Sequence, residues 1–114
     1  MSRHTELRLL DILDAIERVF SYVKGMSYKD FMADQKTQDA VVRNIEIIGE
    51  AARGIPKVFR ADNSQIPWDD IIGMRNIIVH HYFGILIDVV WDIVKKELPM
   101  LKKQIKSIIE VKDL

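Results

Sequence analysis

The chain has 114 residues, of which 48% are hydrophobic and 30% charged, with 17 basic residues balancing 17 acidic ones. This is the usual mixture for a soluble globular protein, and no run of about 18 apolar residues is present to span a membrane. Zero net charge argues against a dedicated sequence-independent nucleic-acid binder, which carries a positive excess, and the absence of cysteine excludes disulfides and thiolate chemistry.

A single domain over residues 1–114 is expected from this length. So small a chain hides a modest share of its surface, so oligomerisation is a natural way to cover leftover apolar area. No signal peptide is visible after Met1, and the reading is a cytoplasmic protein.

In chain order, Leu9, Ile12, Leu13, Ile16, Phe20 and Val23 recur at three-and-four spacing, which predicts a helix from about Thr5 to Lys24. Gly25 is its expected stop. Ser27 then caps a short second helix that buries Phe31 and Met32. A third helix, from about Gln35 to Arg53, carries Val41, Ile45, Ile48 and Ala52, and Gly54 and Pro56 end it. Residues 61–66 read as a loop. Pro67 suits the first turn of a fourth helix, which runs through Ile71, Met74 and Ile78 toward His80, with Asp69 and Asp70 at its positive end. Gly84 marks a break. A last helix from Ile87 or Asp88 carries Val90, Trp91, Val94, Leu98, Leu101, Ile105 and Ile108, and Pro99 inside it predicts a kink. The fold class is therefore all-α, a four- to five-helix bundle.

The unusual stretch is Arg75-Asn76-Ile77-Ile78-Val79-His80-His81-Tyr82. Arginine offers a rigid fork of donors to phosphate, histidine exchanges protons near neutral pH, and tyrosine donates a hydrogen bond or stacks on a base. At about 100° per residue, Arg75 and His80 lie about 140° apart on an ideal helix. Either the helix ends or bends near His80, or a second subunit completes the constellation.

Arg75, His80 and Tyr82 stand in the Arg-x4-His-x-Tyr pattern, and the sequence resembles HepT-like HEPN proteins. Trp68, Gly84, Trp91, Leu98-Pro99, Asn44, Gly49-Glu50-Ala51 and Pro56 add to the likeness, which covers about residues 5 to 105. Leu86 departs from it, standing where an aspartate is expected, and Asp88 is the candidate to cap the next helix instead.

The resemblance implies a homodimer whose two motifs line a cleft. It also implies an endoribonuclease that works without metal or cofactor, and a toxin paired with a minimal nucleotidyltransferase antitoxin. In such a pair, AMP transfer to the motif tyrosine, here Tyr82, silences the toxin. Arg75 and His80 are then the candidate catalytic residues on RNA, with Asn76, Tyr82, Glu50 and Asn44 in support. The alternative is a HEPN scaffold that binds a nucleotide, or accepts AMP, without cutting RNA.

Blander readings stand beside these. Arg43, Asn44, Glu46, Glu50 and Arg53 read as a solvated face with charge pairs, or as a layer that orients Arg75. Lys95, Lys102 and Lys106 read as a solvated face, or as a contact for RNA or an acidic partner. Trp68 and Trp91 are expected in the core or an interface, His81 as a neighbour of the site, and His4 as a mobile terminal residue. His4, His80 and His81 make no metal-ligand pattern.

Overall fold

The computed structural model describes residues 1–81 and 87–112, with side chains described for residues 1–74 and 87–110. Helix α1 spans Arg3–Val23, capped by Ser2, whose hydroxyl accepts from the Thr5 amide at 3.1 Å. Its buried stripe is Thr5, Leu9, Ile12, Ala15, Ile16, Val19 and Val23. Leu13 and Phe20, expected on that stripe, are half-buried at its margin. Gly25 ends the helix region at φ +77°, a left-handed conformation that other residues adopt only with strain.

Helix α2, Tyr28–Met32, starts with a capping box in which Ser27 and Asp30 exchange side-chain-to-amide hydrogen bonds. Phe31 is fully buried, whereas Met32 is 41% exposed, contrary to the sequence expectation. A helix of five residues offers only a narrow stripe to the core, and Phe31 occupies it.

Helix α3, Gln35–Arg53, lies at the centre and packs against α1 on one side and α5 on the other. That double contact explains its wide buried arc, which includes Val42, Gly49 and Ala51 besides the expected Val41, Ile45, Ile48 and Ala52. It also buries Asn44, which is therefore not part of a solvated face. Burying each large apolar side chain contributes about 1.5–3 kcal/mol, so α3 anchors the bundle.

A short helix, α4, occupies Lys57–Asp62, where the sequence reading placed no helix. Pro56 precedes it, and the loop expected from Ala61 begins two residues later, at Asn63. Helix α5 spans Trp68–His81, with Pro67 accepting the Ile71 amide at 3.1 Å from the position before it. Buried Trp68 fixes this entry, since its Nε1 donates to the Asn63 carbonyl at 3.0 Å.

Beyond it, α6 (Ile87–Asp92), a π-helical turn (Ile93–Glu97) and α7 (Leu98–Lys112) follow in direct succession. The widened turn stands where a kink was expected. Pro99 has no amide to continue the α-helical ladder, and Leu98 N–H reaches back five residues to the Ile93 carbonyl. Among the described residues there is no strand, and no helix is long and apolar enough to cross a membrane. The bundle is all-α, as the sequence predicts.

Candidate active site

Helix α5 carries Arg75 and His80, the first two residues of the motif. It is helical through His81, so Arg75 and His80 belong to one uninterrupted helix. At about 100° per residue they stay about 140° apart. Arg75 falls within about 20° of Trp68 and about 40° of Ile71 in register, and both of those residues are buried. His80 falls within about 20° of Asp69 and Gly73, and about 40° of Asn76. Asp69 is exposed and Gly73 half-exposed. In register the two motif positions thus fall on different arcs of the helix. The helix end expected near His80 comes at His81, one residue beyond it, and so does not fall between Arg75 and His80.

The side chains of Arg75, Asn76, His80 and His81 lie outside those described, and Tyr82, Gly84 and Leu86 lie outside the described residues. The supporting pair on α3 is described. Asn44 is buried, with Nδ2 donating to the Ala40 carbonyl at 2.9 Å, and its Oδ1 has no partner. Glu50 is exposed and about 120° from Asn44 around the helix. The polar cluster read from the sequence is split accordingly: Arg43 and Glu46 form an ion pair at 3.6 Å, and Asn44 faces inward.

Near the start of α5, a groove of about 590 Å³ runs past Lys57, Arg60 and Ser64 of the α4 region to Asp69 and Asp70. Its charges are mixed, and the Arg60 Nε is bound to the Ile55 carbonyl at 3.1 Å.

On the far side of the motif, a contact that sequence reasoning missed ties α2 to α6. The Tyr28 hydroxyl donates to Asp88 at 2.6 Å, and the adjacent carboxylate pushes the phenol's pKa up. Asp88 is therefore occupied by Tyr28 and sits inside the first turn of α6 rather than capping it. Trp91 packs on Phe31 with centroids 5.0 Å apart, meets Tyr28 edge-on at 6.3 Å, and carries the Lys95 ammonium 4.8 Å above its ring. The available sequence signal was the spacing of Tyr28 and Phe31 at i,i+3 and of Trp91 and Lys95 at i,i+4.

Two other expectations change. Lys102 is an interhelical tie to Glu17 at 2.5 Å and not a free member of a basic face. His4 is held, with Nε2 3.0 Å from the Gly54 carbonyl at the end of α3. Among the described residues no group of three or more histidine or carboxylate side chains could hold a metal ion.

The family described as "Ribonuclease HepT-like" matches residues 12–108. A protein of Caldanaerobacter subterraneus subsp. tengcongensis, named "Putative RNase", is 43% identical over 99 residues, covering 87% of this chain and 88% of that one. The "Probable ribonuclease HepT" of Thermococcus cleftensis is 39% identical over 108 residues, covering 95% and 98%. A Methanocaldococcus jannaschii protein named "Gamma-glutamylcyclotransferase and putative RNase" is 40% identical over 113 residues, and the match spans 51% of its length. No solved structure matches the chain. With Arg75 and His80 on α5 of an all-α bundle, the chain belongs to the HepT-like ribonuclease family.

Proposed function

We propose that the protein is a homodimeric endoribonuclease that cleaves RNA without a metal ion, with Arg75 and His80 as its catalytic residues. The observation that carries this reading is the continuity of α5 through His81, which leaves Arg75 and His80 about 140° apart on one helix. A second copy of α5 facing the first supplies the missing half of the site.

In that arrangement one His80 takes the proton of the RNA 2′-hydroxyl, whose oxygen attacks the adjacent phosphorus. His80 of the partner subunit gives a proton to the departing 5′-oxygen, leaving a 2′,3′-cyclic phosphate and a 5′-hydroxyl. Histidine suits both roles at neutral pH. Arg75 stabilises the charge that gathers on the phosphate oxygens. Asn76, within about 40° of His80 in register, orients the imidazole or the substrate. Glu50 and Asn44 support from α3, the helix packed on α5. In the cell the reading is a cytoplasmic toxin held in check by a minimal nucleotidyltransferase that transfers AMP to Tyr82.

Cleavage of RNA by the purified protein in excess chelator tests the reaction. The expected result is 2′,3′-cyclic phosphate ends, a bell-shaped pH profile, and loss of at least about a hundredfold in rate for His80→Ala and Arg75→Ala. A His80→Ala protein as fast as wild type overturns it. The zero net charge favours a second reading, a HEPN scaffold that accepts AMP without cutting RNA. Adenylylation of Tyr82, seen as a mass increase lost in Tyr82→Phe, combined with no cleavage by the unmodified dimer, selects that one.

A further inference from the structure

Helix α6 begins directly after residues 82–86, so whatever fixes its first turn fixes where the segment bearing Tyr82 must end. Helix α6 runs on directly into the π-helical turn and α7, which hold its C-terminal end. Its first turn takes its position from side-chain neighbours.

Those neighbours form a connected series of contacts leading back to the core. From α3, the Gln38 Nε2 donates to the carbonyls of Phe31 at 2.9 Å and Met32 at 3.1 Å, clamping the end of α2. Phe31 is fully buried and the capping box fixes the start of α2. From that held helix, the Tyr28 hydroxyl reaches 60 positions along the chain to the Asp88 carboxylate at 2.6 Å. A phenol donating to an ionised carboxylate at this length is a strong, directional bond. One turn further on, Trp91 packs against Phe31, so α6 is held at two successive points.

We propose that Tyr28 is a positioning residue for the site: its bond to Asp88 fixes the first turn of α6, the helix that follows the Arg75 and His80 motif in the chain. The inference rests on the ribonuclease reading for its effect on rate, but not for the restraint itself. Tyr28 touches neither RNA nor the reacting atoms in this role.

Tyr28→Phe keeps the ring and removes only the donor, and its exposed edge makes a folded variant the expectation. Hydrogen exchange of the α6 amides should then quicken about tenfold, the scale of one charge-assisted hydrogen bond. RNA cleavage should fall about tenfold or more in kcat, with KM changing little, as displaced groups cost rate rather than binding. Asp88→Ala should match Tyr28→Phe, and the double variant should be no worse than either. Asp88→Asn, which retains an acceptor, should recover part of both readouts. Unchanged α6 exchange in Tyr28→Phe overturns the restraint. Faster exchange with wild-type kcat overturns the positioning role. A wild-type protein that cleaves no RNA overturns the ribonuclease reading alone, and the exchange experiment still decides the restraint.

Discussion

The Lys102 ammonium of α7 meets the Glu17 carboxylate of α1 at 2.5 Å while lying 5.5 Å from the centre of the Phe20 ring. One lysine thus joins the first and last helices through both a charge and an aromatic face. The hydrogen bond from Lys102 holds the Glu17 carboxyl below its ordinary pKa, with Lys106 adding in the same direction.

That shift has a definite sign. A carboxyl whose pKa is lowered by folding stabilises the folded state above its unfolded value, and the contribution is lost as pH falls through the lowered one. A double-mutant cycle of Glu17→Gln and Lys102→Met should show coupling at neutral pH that vanishes in acid and weakens in high salt. Coupling that persists below pH 2 contradicts the assignment. The same variants should leave RNA binding unchanged at equal folded concentration, since Lys102 acts between helices.

Asn44 invites a test in the opposite direction. Its buried Oδ1 lacks a donor, and such an atom costs about 1–3 kcal/mol, whereas an apolar group of similar shape does not. Asn44→Leu should therefore melt no lower than wild type. A midpoint several degrees lower indicates a donor to Oδ1 in solution. If that stable variant also cleaves RNA more slowly, Asn44 is retained for the site rather than for the fold.

The Tyr28 hydroxyl donates to the Asp88 carboxylate, which favours the neutral phenol. Because the folded pKa is raised, the stabilisation is complete below the unfolded value and disappears as pH climbs through the folded one. The alkaline absorbance titration of the wild type should contain a late phenol step that is missing in Tyr28→Phe. Identical high-pH limbs in the two proteins argue against the Asp88 bond.

Much of this fold was legible because apolar spacing and caps agree with it. Gln35–Arg53 was readable to the residue, since Gly54 and Pro56 punctuate it. Helix α4 was not, because none of its six residues is fully buried and Phe59 alone packs against the core, too little to set an apolar period. The inward position of Asn44 was hidden for a related reason: a helix packed on two sides has a buried arc wider than its apolar stripe. Pairings such as Tyr28 with Asp88 depend on tertiary placement, which local periodicity does not encode. The motif itself was visible as a pattern, and helix geometry alone already separated Arg75 from His80.

Two glycines separate backbone need from surface use. Gly25 has φ +77°, so Gly25→Ala should destabilise by about 1 kcal/mol through strain, although a Cβ there meets nothing within 4 Å. Gly73 lies inside α5 without that constraint, and a Cβ built on it also meets nothing within 4 Å. Glycine in a helix interior costs about 0.5–1 kcal/mol relative to alanine, so Gly73→Ala should raise the stability of an isolated protomer by that amount. Gly73 shares the arc of His80, within about 20° in register. If two copies of α5 meet along that arc, an added methyl stands between them. Gly73→Ala should then melt higher as a monomer while dimerising and cleaving RNA less well, read by light scattering and by cleavage assay on one preparation. A variant both more stable and fully dimeric places the contact on another face of α5.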